Sequence, residues 1–95
     1  MTTKQAIMNE ISGLLGMPEY EVSTGSSEPR EFLIEVASQI GLSKLTSNLS
    51  KPEIAKAIVE SYGEKWLIEY DSSGSTVTKE GLKAVLRAVR NIVCK

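Results

Sequence analysis

The 95-residue sequence contains no histidine. That removes the side chain that titrates nearest neutral pH and the commonest protein ligand for zinc. It contains one cysteine, Cys94. A lone thiol excludes an internal disulfide framework, and such cysteine usage points to a reducing cytoplasm. Cys94 itself reads as a small apolar helix residue, with oxidative cross-linking of two copies as the alternative. No apolar run approaches the roughly 18–20 residues of a membrane span. Met1 to Glu10 mixes polar and apolar residues and lacks the apolar core of a signal peptide. Aromatic residues are few: Tyr20, Phe32, Tyr62, Trp66 and Tyr70. The core is therefore expected to be aliphatic, drawn from the 41% of residues that are hydrophobic. There is no Gly-x-Ser-x-Gly elbow, no phosphate-cradling Walker loop and no cysteine cluster for a metal. These absences argue against catalysis, a metal or a cofactor, and leave a small binding or assembly module.

The apolar residues that are present recur at helical spacing. Thr2 with Gln5 has the capping pattern of a first helix carrying Ala6, Ile7, Ile11, Leu14 and Leu15, stopped by Gly16 and Pro18. Ser27 or Glu28, just before Pro29, caps a second helix with Phe32, Leu33, Val36, Ala37 and Ile40 on one face, closed by Gly41. Ile34 falls off that face, free for a partner or for solvent. Leucines 42, 45 and 49 pin an extended connector. Ser50 and Glu53 form a capping box for a third helix bearing Ile54, Ala55, Ile58, Val59 and Tyr62. The second and third helices echo one another at an offset of 22, as two amphipathic helices each ended by glycine. Trp66 to Tyr70 is too short for a helix, so residues 66–77 form either a short β-hairpin or an irregular loop with Trp66 plugged into the core. Thr78 caps a last helix over about 79–94, with Leu82, Val85, Leu86, Val89, Ile92 and Val93 as its apolar stripe. The expected fold is mainly α: one compact four-helix domain spanning 1–95, with an N-terminal helix and loop (1–22) ahead of a helix–extended–helix segment and the C-terminal amphipathic helix (23–95).

The net charge of −1, from 11 basic and 12 acidic residues, excludes a chain-wide basic coat. Its distribution is uneven. Residues 1–40 hold Lys4 and Arg30 against six glutamates, residues 41–78 are nearly balanced, and residues 79–95 hold five basic residues against Glu80. Lys79, Lys83, Arg87 and Arg90 recur at spacings of 4, 4 and 3. At about 100° and 1.5 Å per residue they share one helix face about 80° wide and about 16 Å long. Such a row suits the phosphates of a nucleic-acid backbone. It equally suits solvent, where it complements the helix dipole, or an acidic protein surface, which the first 40 residues supply within the molecule or in a second copy. Hydroxyl-rich turns precede three helices, and Ser50, Lys51, Ser75 and Thr76 stand where exposed N–H groups either bind phosphate or are simply capped.

Two stretches carry a resemblance. The amphipathic helix from Leu33, the leucine-pinned link and Ser-Lys-Pro-Glu-Ile-Ala-Lys-Ala-Ile-Val-Glu resemble the helix–extended–helix module of the SAP type. Together with Ser-Thr-Gly-Ser-Ser-Glu-Pro-Arg-Glu-Phe-Leu, the single Trp66 and Ser-Ser-Gly-Ser-Thr-Val-Thr-Lys-Glu-Gly-Leu, they resemble segments of a small accessory region of bacterial restriction endonucleases, over about residues 23–90. The resemblance implies DNA association in the bacterial cytoplasm without nuclease chemistry. Carried over by position, the SAP pattern supports Lys44, Ser50 and Lys51. The module itself departs from the basic character of its type, with Arg30, Lys44, Lys51 and Lys56 against five glutamates over residues 28–63. The expected function is a non-catalytic DNA-binding module contacting mainly phosphates. The alternative is a protein-interaction or oligomerisation domain using Ile34, by itself or as part of a larger complex.

Overall fold

The helix boundaries follow from the chemistry of their ends. The computed structural model describes residues 3–21, 29–42, 49–71 and 77–93. In α1 (Lys4–Leu15) the Thr3 hydroxyl accepts the Ala6 N–H at 3.1 Å, so the cap stands one residue later than expected; Thr2 lies outside the described residues. Gln5 stands one position before the residue whose N–H the Thr3 hydroxyl accepts. Its amide donates to Asn9 at 2.9 Å and to the Tyr20 carbonyl at 2.6 Å, tying the start of α1 to the chain that follows it. α2 (Arg30–Gln39) begins after Pro29 without a side-chain cap, and Ser27 and Glu28 lie outside the described residues. Its end is closed by Gly41 at φ 93°, with Leu42 N–H on the Ala37 carbonyl at 2.7 Å and Gly41 N–H on the Ser38 carbonyl at 3.2 Å. That paired closure needs a left-handed residue, which glycine adopts without a Cβ clash. α3 (Lys51–Glu60) carries the expected Ser50–Glu53 capping box, with Pro52 in its first turn. α4 (Lys79–Val93) is capped by Thr78, whose Oγ1 accepts the Gly81 N–H at 3.2 Å.

All four helices bury a face in one core. Ile7, Met8 and Ile11 from α1 meet Phe32, Leu33, Val36 and Ala37 from α2, Ile54, Ala55, Ile58 and Val59 from α3, and Leu82, Val85 and Val89 from α4. The fold is thus mainly α, as the periodicity predicts. Helix α4 is its axis, packing against α1, α3 and the turn before it, while α2 packs on α3 and α1. The echo at offset 22 corresponds to four matched buried positions in α2 and α3. Phe32 is fully buried and meets Tyr20 edge-to-face at 5.7 Å. Burial of such a side chain stabilises the fold by about 1.5–3 kcal/mol relative to leaving it in water.

Some face assignments change. Ala6 is exposed and Leu14 and Leu15 are half-buried, while Met8 and Ser12 are buried. Alanine is so compatible with helix surfaces that it carries little directional signal. In α4 the buried face is wider than the large apolar residues indicate: Gly81, Ala84 and Ala88 are also buried, whereas Ile92 is half-buried and Val93 is exposed.

Between α3 and α4, most of the described residues are in neither helix nor sheet. Ile68–Tyr70 forms one 3-10 turn, and the expected hairpin reduces, among the described residues, to a single antiparallel bridge between Asp71 and Val77. Trp66 sits at the core edge, half-buried, meeting Tyr70 edge-to-face at 5.0 Å and donating its indole N–H to Asp71 at 3.1 Å. Thr78 fastens the turn to α4: its N–H donates to the Tyr70 carbonyl at 2.8 Å and its hydroxyl reaches the same carbonyl at 2.9 Å. Tyr70 and Val77 then pack directly over Gly81.

Candidate nucleic-acid interface

Helix α4 positions the basic row. At about 100° per residue its buried residues span roughly 200°, and Lys79, Lys83, Arg87 and Arg90 all fall within the remaining arc, nearer its Leu86 edge. Lys79, Arg87 and Arg90 are exposed and Lys83 is half-exposed. The four cations therefore line the outer side of the helix that forms the axis of the core, a rigid support for a charged edge.

The row is not bare. Lys83 lies 3.4 Å from Glu80 of its own helix. Arg87 lies 3.7 Å from Glu64, in the link after α3, and its guanidinium donates to the Tyr70 hydroxyl at 3.3 Å. Arg90 pairs with Glu10 of α1. Among the described residues Lys79 has no carboxylate within ion-pair distance. One acidic-to-basic contact between the N-terminal region and the last helix is thus made within the molecule. Spacing along the helix locates the cations but not Glu10, Glu64 or Tyr70 as their neighbours; the acidic balance of residues 1–40 is a signal for Glu10 alone. Glu64 is held unusually: its Oε2 is buried with no hydrogen-bond partner among the described residues. The pairs on Arg87 and Arg90 are about half-exposed, and pairs of that kind contribute roughly 0–1 kcal/mol each.

The start of α3 is a different kind of place. Ser50 donates to Glu53 Oε1 through its N–H at 3.1 Å and its hydroxyl at 2.9 Å, while the Glu53 N–H donates back to the Ser50 hydroxyl at 3.4 Å. The Ser50 hydroxyl is thereby committed to the cap, and a carboxylate already faces the positive end of the helix. An incoming phosphate would have to displace Glu53, so Ser50 is a capping residue here rather than an open anion contact. Lys51 is half-buried beside it. Lys44, Ser75 and Thr76 lie outside the described residues, as does Cys94.

The hydrogen bonds from the Ser50 N–H and then its hydroxyl hold the Glu53 carboxyl below its ordinary pKa, with Lys56 adding attraction against a small opposing effect of burial. A depressed folded-state value means that Glu53 contributes stability above the ordinary glutamate range and loses it as pH falls through the depressed value. Glu53→Gln keeps an acceptor oxygen but removes the charge. The stability difference between wild type and this variant is expected to be constant near neutral pH and to vanish in acid. Urea unfolding from about pH 7 to about pH 3 checks it, and a difference independent of pH contradicts it.

Besides Val93 at the end of α4, three large apolar side chains of the described residues stand exposed outside the core. Ile34 on α2 is 37% exposed, as its position off the buried face predicts, while Leu67 is 42% and Ile68 90% exposed. The sequence does not set the last two apart, since two aliphatic residues beside Trp66 read equally well as core. Among the described residues no group of three or more acidic or cysteine side chains is placed to hold a metal ion, and no helix is long and apolar enough to cross a membrane. Comparison with protein-family models, with curated proteins and with solved structures finds no match in any of the three.

Proposed function

We propose that this chain is a non-catalytic module that associates with DNA, mainly through the phosphate backbone. The observation that carries the reading is the row of Lys79, Lys83, Arg87 and Arg90 along the outer side of α4, opposite its buried face. At a rise of about 1.5 Å per residue the row is about 16 Å long, enough to meet several successive phosphates. The resemblance of residues 23–90 to a restriction-associated region, and of Leu33–Gly63 to SAP-type modules, supports the same class and adds a bacterial restriction-modification setting. The row is assigned to phosphates, contacts that position the molecule rather than specify a base sequence. Fluorescence anisotropy with a labelled duplex of about 20 base pairs, and with its single strand, tests it at about 50 and about 200 mM salt. Binding at the lower concentration that falls steeply at the higher is expected; no binding at the lower concentration overturns the reading.

The exposure of Ile68 favours a second reading, a protein-docking role. A side chain 90% exposed on a turn held by Thr78, Tyr70 and Trp66 is presented rigidly, and rigid apolar groups dock at little ordering cost. If the partner is a second copy, light scattering should show a mass rising above 10.4 kDa with concentration, and Ile68→Ser should reverse the rise. A mass fixed at 10.4 kDa across the series removes self-association through this turn.

A further inference from the structure

The arrangement of carboxylates along α4 carries an inference that rests on the DNA reading and deepens it. Three of the four cations already hold an anion, and the anions come from three different places: Glu80 on α4, Glu64 in the link after α3, and Glu10 on α1. We infer that Glu10 and Glu64 set the selectivity of this edge, admitting polyanions and excluding single anions.

Binding at this edge is an exchange of anions. A lone phosphate arriving at Arg87 or Arg90 replaces one carboxylate by another anion and gains little, because an exposed pair with either is weak and screened. A nucleic-acid backbone presents its phosphates in series. It displaces the carboxylates together, loses its translational freedom only once, and releases counterions that an isolated phosphate does not carry. Lys79, without a carboxylate among the described residues, makes the first contact, and the pairs beyond it then open together. Glu64 is suited to this role. Its Oε2 is buried without a hydrogen-bond partner, so its place beside Arg87 is imposed by the chain and not by an optimal pair. Glu10 is likewise fixed by its position on α1, whose most extensive packing is against α4. Neither carboxylate is carried by the helix whose charge it balances, so each meets its arginine only because the folded core brings them together.

The test compares the wild-type protein with Glu10→Gln/Glu64→Gln and with Glu19→Gln/Glu31→Gln. The second pair changes net charge equally at two exposed positions that pair with no cation of α4. Thermal melting first establishes that all three are folded. Against the labelled duplex at about 50 mM salt, Glu10→Gln/Glu64→Gln is expected to lower Kd about 3–10-fold, and the control pair less than about twofold. Inorganic phosphate at millimolar concentration is expected to shift the Arg87 and Arg90 side-chain NMR signals in Glu10→Gln/Glu64→Gln and to leave them in place in the wild type. An unchanged Kd, or equal tightening by both double variants, overturns the inference and leaves the DNA reading standing. Phosphate shifts of equal size in the wild type and in Glu10→Gln/Glu64→Gln also overturn it. Failure of all three proteins to bind the duplex removes the DNA reading itself, and the inference with it.

Discussion

Gly81→Ala is expected to destabilise the protein by about 1–3 kcal/mol, although alanine is the better helix former by about 1 kcal/mol in an unconstrained helix. The sign is set by what an added methyl group would meet. A Cβ at position 81 would collide with the Val77 side chain and lie 2.9 Å from the Tyr70 carbonyl oxygen and 3.2 Å from Tyr70 Cβ. The Val77 methyl group has some freedom to turn away. The Tyr70 carbonyl has not, because it accepts the Thr78 N–H at 2.8 Å and the Thr78 hydroxyl at 2.9 Å. The turn must then lift from α4, uncovering Tyr70 and Val77. For a domain of this size the melting temperature should fall by roughly 4–8 °C for each kcal/mol lost. Gly13, on the exposed side of α1 with open space around its missing Cβ, supplies the contrast. There the same substitution should stabilise by about 0.5–1 kcal/mol. Thermal and urea unfolding of both variants decide the matter: a Gly81→Ala protein as stable as the wild type would mean that the notch yields.

The second large effect concerns binding. Lys83→Glu with Arg87→Glu should weaken duplex association at least about tenfold at low salt, a loss of about 1.4 kcal/mol or more. Both side chains lie on the outer side of α4, away from the core, so the fold should persist. Reversal removes two phosphate contacts and places two carboxylates among the survivors, where Glu64 and Glu80 already stand. The salt dependence gives the sharper reading. Four phosphate contacts correspond to a slope of about −3.6 in log Kobs against log salt, and two correspond to about −1.8. Anisotropy titrations over a salt series measure both. A double reversal that binds as the wild type does, with the same slope, would place the contacts elsewhere on the surface.

What the sequence discloses depends on whether a feature is local. The Ser50–Glu53 box, the glycine closures after α1 and α2, the Thr78 cap and the outward row of cations are all legible, because each depends on residues within one or two turns. Ile34 is correctly set off the α2 face for the same reason. Features that depend on packing are not legible. Ala6 and Met8 exchange places because α1 is covered from two sides, by α4 and α2, and the large aliphatic residues alone do not reveal where that coverage is centred. The choice between a hairpin and an irregular loop over 66–77 stays open in the sequence, because it depends on Tyr70 packing over Gly81 within a 3-10 turn, beside which the described residues hold one antiparallel bridge, Asp71 to Val77. The candidate interface divides in the same way. Its cations follow from spacing along one helix, whereas Arg90 meets Glu10 across 80 residues of sequence and Arg87 meets Glu64 and Tyr70 across a chain reversal. Ser50 looks available to an anion until its partner is seen.

The position of Thr78 has a consequence for how the molecule opens. Its hydroxyl serves the first turn of α4 by accepting from Gly81 and serves the preceding turn by reaching the Tyr70 carbonyl, while its amide donates to that same carbonyl. The two pieces of backbone therefore cannot exchange their protected hydrogens independently. Fraying at the start of α4 releases the 3-10 turn, and with it Tyr70 and the group on which Arg87 rests. Local unfolding there is expected to be a single cooperative event, joining the opening of one helix end to the placement of the charged edge.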